Sequence, residues 1–371
     1  MKNLTLLLKP VSSACNMRCN YCFYGDVSTH RKDRFYGTMD EETVAQILSN
    51  VFRDLEAGDQ ICFAFQGGEP TLAGLPFYRS FTARARCLAG ARIHLFFSIQ
   101  TNGLLLDDAW CRFLKEEHYL VGLSLDGPPS FHNRQRPDAQ GIGTFSPVLL
   151  AKERLQQWRV EYNLLTVLTN SLARHPRELW RFLLEQEERY VQLIPCLGPL
   201  EGGGSALALT PERYANFYRA LFDLWSASLR QGHYVSIRLF DDYAALLARN
   251  ECHSCGLTGR CSPQIVVEAD GSVYPCDYYA LDTFCAGNLK DMSLSTLFQS
   301  PRMRDFPHRS IERSHLCSDC PHVQLCGGGC PRLRQEVYSA AKNGLCGHRI
   351  LLDHILPRLE SIIWKIPSSR S

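Results

Sequence analysis

The sequence predicts an α/β protein: an open, partial (β/α)6 barrel followed by a cysteine-rich C-terminal region. Three observations carry this. Strand-like and helix-like segments alternate six times between Leu4 and Ile194, with short connections. Such alternation implies a parallel sheet with helices on its outer face, and six units are too few for the closed eight-fold barrel. The stretches richest in special residues (Cys15 to Cys22, Gln66 to Pro70, Ser124 to Pro128, and Leu197) each fall at the C-terminal end of a strand. Parallel β/α architectures place their active sites there. From about Glu251 the chain turns cysteine-rich and loop-rich, the character of a region held by metal rather than by a large core. The expected divisions are 1–200 for the barrel, 201–250 for a helical connector and 251–371 for the cysteine-rich region.

The elements follow in order. Leu4 to Leu8 is a buried strand leading into the first cysteine loop. Met39 to Ala57 reads as a helix, with Asp40 as cap, acidic residues in the first turn and Gly58 behind it. Ile61 to Phe65 is a short apolar strand ending in Gln66-Gly67-Gly68-Glu69-Pro70, where a Gly-Gly pair by itself marks a tight turn. Helix Pro76 to Leu88, strand Ile93 to Gln100, helix Asp107 to Glu117 and strand Leu120 to Leu125 come next. Helix Thr144 to Trp158, strand Glu161 to Leu168, helix His175 to Glu187 and strand Tyr190 to Ile194 complete the alternation. A Gly-Gly-Gly-Ser linker lies within Gly202 to Ala206. Thr210-Pro211-Glu212 opens a long amphipathic helix to about Arg230, followed by a strand from Val235 to Leu239 and a helix from Asp241 to Arg249. Asp270-Gly271 between two alternating stretches signals a β-hairpin that brings Cys276 back towards Cys261.

Composition narrows the function. At 371 residues the chain can bury a sizeable core, and 45% hydrophobic with 21% charged residues is ordinary for a globular protein. A net charge of +2 predicts no strong pull on nucleic acid or an anionic membrane. No stretch approaches the ~20 apolar residues of a membrane span, and the apolar run after Met1 is too short for a secretory signal. A cytoplasmic location is expected. Seventeen cysteines there need a reason other than disulfides. Cys62, Cys87, Cys111, Cys196, Cys252 and Cys285 read as buried small side chains or exposed thiols.

Cys15, Cys19 and Cys22 form a C-x3-C-x2-C motif between Ser12 and Tyr24. Three thiolates so spaced can hold three corners of a cubane iron–sulfur cluster, leaving one iron open to a substrate or cofactor. A zinc ion would ask for a fourth Cys or His, and no His lies in the motif; spacing alone leaves both readings open. Towards the C-terminus stand Cys255, Cys261 and Cys276, then Cys317-x2-Cys320-x5-Cys326-x3-Cys330 and Cys346. Eight thiolates suffice for two closed four-cysteine sites, of iron–sulfur or zinc type. Asp277 directly follows Cys276, and read alone it serves a turn as well as a base.

The C-x3-C-x2-C loop and its aromatic setting resemble the radical S-adenosylmethionine (radical SAM) family, and the C-terminal pattern resembles its SPASM extension. Lys9-Pro10, Cys22-Phe23-Tyr24, the run Phe65 to Gly74, Gln100-Thr101-Asn102-Gly103, Val121 to Ser124 and Asp126-Gly127-Pro128 look like the anaerobic sulfatase-maturating enzymes within that family. The resemblance covers most of the chain. It implies S-adenosyl-L-methionine as cofactor and three [4Fe–4S] clusters. Cys15, Cys19 and Cys22 would hold the radical cluster. Cys255, Cys261, Cys276 and Cys330 would hold one auxiliary cluster, and Cys317, Cys320, Cys326 and Cys346 the other. Tyr21, Tyr24, Gln66, Gly67, Gly68, Glu69, Ser124, Arg136 and Leu197 would line the cofactor and substrate pocket, with Asn102 a further candidate. Within this set the Gly67–Glu69 motif holds the cofactor's amino group, Ser124 and Arg136 its ribose and carboxylate, and Leu197 its adenine, while Tyr24 positions the substrate.

The implied reaction oxidises a Cys or Ser of a sulfatase polypeptide, unfolded or nascent and of Cys/Ser-x-Pro/Ala-x-Arg type, to Cα-formylglycine. Asp277 is the implied general base. The cofactor carries the radical chemistry, and an electron donor such as flavodoxin or ferredoxin is the other expected partner. Three further readings remain. One is a SPASM peptide maturase forming thioether or carbon–carbon crosslinks, against which stands a first strand beginning near Leu4, leaving no room for a leader-binding domain. Another is a non-enzymatic zinc-binding interaction module. The third is a maturase whose partner is not a sulfatase.

Overall fold

The structure, a computed structural model, describes residues 3–202, 204–252, 254–309, 313–340 and 344–366. The chain divides into two compact units. The first comprises residues 1–124, 136–162 and 263–309; the second comprises 125–135, 163–262 and 310–371.

In the first unit, strands β1 (Asn3–Leu8), β2 (Gln60–Phe65), β3 (His94–Thr101) and β4 (Tyr119–Ser124) run parallel in that order. Their alternate side chains are buried, as with Ile61, Phe63 and Phe65 of β2. Phe63 and Phe65 pack edge-on against Phe81 at 5.1 and 5.0 Å. Helices α1 (Phe23–Thr29), α2 (Glu41–Phe52), α3 (Leu75–Ala89) and α4 (Asp108–Glu116) fall between or after the strands. Helix α2 starts where Asp40 accepts a hydrogen bond from the Thr43 amide at 2.7 Å, and it buries Val44, Ile47, Leu48 and Val51, one helical face. Asp107 caps α4 in the same way.

The strand ends are level. Leu8 pairs with Phe65, Phe65 with Ile99 and Thr101 with Leu123, so the residues that follow each strand emerge at one edge. On the other side of β1 the expected hairpin forms as β8 (Ile265–Val267) and β9 (Ser272–Tyr274). Strand β8 pairs parallel with β1, Leu8 opposite Val267, and β10 (Gly287–Asn288) completes the order β10-β9-β8-β1-β2-β3-β4.

The second unit carries the parallel strands β5 (Tyr162–Leu168), β6 (Tyr190–Pro195) and β7 (Ser236–Ile237). Its helices include α5 (Pro129–Gln135), α7 (Pro176–Glu185), α8 (Pro211–Arg230) and α9 (Arg238–Arg249), while α6 (Phe145–Gln157) belongs to the first unit. Helix α8 is capped by Thr210, carries Pro211 in its first turn and packs along the helix Gly347–Glu360.

One local expectation is corrected. The strand expected over Val235 to Leu239 is only two residues long, because Arg238 and Leu239 already belong to α9. Helices α1 and α5 lie in stretches to which the sequence pattern assigned no element; the first follows directly on Cys22, whose sulfur accepts from the Gly25 amide at 3.3 Å. Gly203 of the glycine linker lies outside the described residues. No described helix is long and apolar enough to cross a membrane.

Candidate active site

The loop bearing Cys15, Cys19 and Cys22 leaves β1 and is held by backbone contacts. The Gly68 amide donates to the Ser12 carbonyl at 2.9 Å and the Glu69 amide to the Ala14 carbonyl at 2.8 Å. Gly68 fits only because it has no side chain: a Cβ there would stand 1.9 Å from the Ala14 oxygen. Gly67 adopts φ +125°, open to glycine, with Lys9 carbons 3.2 Å from where a Cβ would be. Asn102 donates to Asn16 at 2.7 Å. The Arg18 amide donates to Pro137, and Arg136 reaches the Tyr21 hydroxyl at 2.9 Å. Residues that follow β2 and β3, together with Arg136 and Pro137, thus fix one short loop.

The Cys15 thiol is pushed up to about 11, mainly by burial and further by the neighbouring Glu69, Cys19 and Cys22. A bound metal would reverse that shift, since its positive charge stabilises the thiolate.

Glu69 is fully buried, and its carboxylate is spent on the fold. Oε1 accepts from the Thr71 amide, the Thr71 hydroxyl and the Thr101 hydroxyl at 3.0, 2.6 and 2.7 Å, and Oε2 from the Asn102 amide at 2.7 Å. Burial raises its pKa while these donors lower it. Glu69→Gln is expected to lower stability by about 1–3 kcal/mol, because an NH2 group would face donors it cannot accept from. Denaturant unfolding checks this, and an unchanged midpoint would remove Glu69 from the scaffold.

Asp277 opens a short 3-10 turn after β9. Its Oδ1 accepts from the Lys9 ammonium at 2.5 Å and its Oδ2 from the Gln66 amide at 2.7 Å. The Asp277 side chain keeps 15% exposure, whereas Lys9 is fully buried. The Lys9 ammonium also sits 3.4 Å from the centre of the Tyr24 ring. The Tyr24 hydroxyl donates to Glu268 at 2.6 Å, and Arg31 pairs with the same carboxylate oxygen at 2.8 Å. Burial, and then the Glu268 charge, raise the Tyr24 phenol well above its ordinary range, so it stays neutral and donates. The Lys9–Asp277 pair therefore meets the Tyr24 ring face, and the buried Arg31–Glu268 pair meets its hydroxyl. Sequence reading missed Lys9, Arg31 and Glu268 as site residues. The available signal was a charged residue closing an apolar strand: Lys9 after Leu4 to Leu8, and Glu268 after Ile265 to Val267.

Ser124 ends β4, half-buried at the same edge. Leu197 lies in the second unit after β6, on a turn gripped from both sides. The Gly198 amide donates to Glu336 at 2.8 Å, Arg332 donates to the Gly198 carbonyl at 2.7 Å, and Arg332 pairs with Glu336.

The second unit gathers seven of the eight C-terminal candidate cysteines. The Cys255 thiol is raised by burial and then by its neighbours Cys261 and Cys330. Gly256, at φ +73°, lies so close to Cys330 that a Cβ would meet that of Cys330 at 2.7 Å. Cys330 is thus drawn to Cys255 and Cys261, while the other three cysteines of its own run, with Cys346, line a separate cavity. His348 and Arg334 also line that cavity. Burial depresses His348 to about 3, leaving a neutral ring hydrogen-bonded to Tyr214 and Tyr243 at 3.0 and 2.6 Å. Cys276 ends the β8–β9 hairpin in the first unit. Among the described residues no three Cys, His, Asp or Glu side chains converge on a single-ion site. Four thiols spread around a cavity suit a cubane, whose irons each take one thiolate at a separate corner.

Residues 10–192 match the Radical SAM superfamily and residues 259–321 an iron–sulfur cluster-binding domain, SPASM. The chain is 40% identical over 367 residues to a cysteine-type anaerobic sulfatase-maturating enzyme of Clostridium perfringens, covering 98% of this chain and 99% of that one. It is 30% identical over 356 residues to a serine-type enzyme of Klebsiella aerogenes, covering 95% and 85%. A solved structure, native anSMEcpe with bound AdoMet and Cp18Cys peptide, superposes with a TM-score of 0.90 at 37% identity, covering 98% of this chain and all of that one. The radical SAM type of α/β fold that the resemblance implied, with the open sheet expected from the strand–helix alternation, is the fold found.

Proposed function

This chain belongs to the anaerobic sulfatase-maturating enzymes of the radical SAM superfamily, and on that premise we propose that it oxidises a sulfatase cysteine to Cα-formylglycine. The observation that carries the reading is the end-to-end likeness to the cysteine-type enzyme of Clostridium perfringens. The choice of cysteine over serine rests on the drop from 40% to 30% identity between the two types of relative.

We assign the radical cluster to Cys15, Cys19 and Cys22. S-adenosyl-L-methionine, bound beside a cluster on these cysteines, would supply the radical chemistry for hydrogen-atom abstraction. Tyr21, Tyr24, Gln66, Gly67, Gly68, Glu69, Ser124, Arg136 and Leu197 form the surrounding pocket, with Glu69 acting through the loop it braces. Two auxiliary [4Fe–4S] clusters, on Cys255, Cys261, Cys276 and Cys330 and on Cys317, Cys320, Cys326 and Cys346, would supply electron uptake. A donor of flavodoxin or ferredoxin type is the expected source of the priming electron.

Asp277 takes the substrate thiol proton. Each of its oxygens accepts one hydrogen bond from the protein, and each keeps a second lone pair for substrate. Converting the Cβ–thiol unit to a thioaldehyde removes one hydrogen atom, one proton and one electron; water then replaces sulfur with oxygen and hydrogen sulfide leaves.

The test is anaerobic. Protein reconstituted with iron and sulfide receives cofactor, reductant and peptides bearing Cys-x-Pro-x-Arg or Ser-x-Pro-x-Arg. Mass spectrometry is expected to find an aldehyde on the cysteine peptide at the higher rate. Deoxyadenosine without any peptide aldehyde would overturn the maturase reading, and faster serine conversion would overturn the cysteine preference.

A further inference from the structure

We propose that Lys9 is a positioning residue for the oxidation step, holding Asp277 and Tyr24 in register at the substrate. The inference rests on Asp277 acting as the base, and it assigns a role to a residue outside the expected pocket. Lys9 is fully buried at the end of β1. Its backbone amide donates to the Val267 carbonyl at 2.9 Å, so both the hairpin carrying Asp277 and the strand carrying Lys9 are fixed relative to each other. Its stem runs beside Gly67, whose missing side chain leaves the room: a Cβ at Gly67 would stand 3.2 Å from Lys9 Cβ and Cγ. Its ammonium meets Asp277 Oδ1 at 2.5 Å and the Tyr24 ring at 3.4 Å.

A buried ammonium is costly unless paired, and truncating one member of such a pair leaves the other uncompensated. Here the pairing is directional. Asp277 is the exposed member, at 15%, so it is the end of the pair a peptide can reach. Lys9 holds one carboxylate oxygen and Gln66 the other, which fixes the plane of the carboxylate. The hydroxyl of Tyr24 is turned away into Glu268 at 2.6 Å, so its ring face, not its hydroxyl, is what Lys9 sets. Reaction geometry of this kind tolerates little error: about 1 Å of misplacement can cost about 100-fold in rate.

The experiment compares Lys9→Met, Asp277→Asn and the double variant as full-length, cluster-reconstituted proteins, measuring formylglycine and 5′-deoxyadenosine in the same reaction. Lys9→Met keeps the stem's length and removes the charge. The expected result is a ratio of formylglycine to deoxyadenosine about 10- to 100-fold below the wild type. In the double variant the ratio should fall no further than in Asp277→Asn alone, the non-additivity of two residues acting as a unit. A ratio unchanged in Lys9→Met overturns the proposal, as does an equal fall in both products, which a purely structural role would give. Additive losses in the double variant also overturn it. Should Lys9→Met not accumulate, Lys9→Gln, which keeps a donor without the charge, replaces it with the same outcomes. Failure of the underlying reading looks different: the wild type itself would cleave cofactor and form no aldehyde.

Discussion

Gly68→Ala is expected to strip the cysteine loop of its cluster and cut cofactor cleavage by about 100-fold. The reason is a contact between backbones. A Cβ on residue 68 would lie 1.9 Å from the Ala14 oxygen, 2.6 Å from the Ala14 carbonyl carbon and 2.9 Å from that of Ser13. None of these atoms belongs to a flexible side chain. Relief therefore requires the loop to move, and Ala14 immediately precedes Cys15. The same motion would stretch the hydrogen bonds from Gly68 to Ser12 and from Glu69 to Ala14, at 2.9 and 2.8 Å. Gly141→Ala is the control: it adds the strain of a positive φ, +83°, with nothing within 4 Å of the new Cβ. Iron and sulfide content, with the electron paramagnetic resonance signal of the reduced protein, checks the result. Full cluster occupancy and normal cofactor cleavage in Gly68→Ala would show that the loop is not clamped by this contact.

Asp277→Asn is expected to lower formylglycine formation by about 10²–10⁴-fold, the usual share of general base catalysis, while lowering cofactor cleavage far less. The substitution is nearly isosteric. An amide oxygen can still accept from Lys9, and the new NH2 can be met by Gln66 if that side chain turns its own oxygen inward. What is lost is basicity, not the hydrogen-bonded frame. The Lys9 ammonium then has no counter-charge on that side, which adds a stability loss visible as a lower melting temperature. Quantifying peptide aldehyde against deoxyadenosine separates these effects. Formylglycine at the wild-type rate in Asp277→Asn would end the assignment of Asp277 as the base.

Local periodicity and punctuation were enough for the scaffold. Asp40 and Asp107 cap helices as their positions suggest, and the alternation in Gln60–Phe65 places Ile61, Phe63 and Phe65 in the core. The cysteine motifs named the family. The strand expected over Val235 to Leu239 failed because a short apolar run is compatible with strand or helix, and α9 takes its last two residues.

Other facts were beyond any local pattern. Asp270-Gly271 says where the chain turns, not that the hairpin joins β1 as an extra parallel neighbour. That pairing sets Lys9 against Asp277, 268 residues away in sequence, and Tyr24 against Glu268. Likewise, spacing alone would keep Cys330 with its own run, whereas the close approach of Gly256 draws it to Cys255 and Cys261. Glu69 reads as a pocket residue in sequence, and the structure adds that its carboxylate accepts from four donors of its own and the neighbouring strand end. The sequence by itself determined which elements form and which chemistry they carry, because periodicity, capping and thiol spacing act over a few residues. Tertiary structure alone decided which charges meet, because burying an ion demands a partner, and the partner is whichever residue the fold brings within reach.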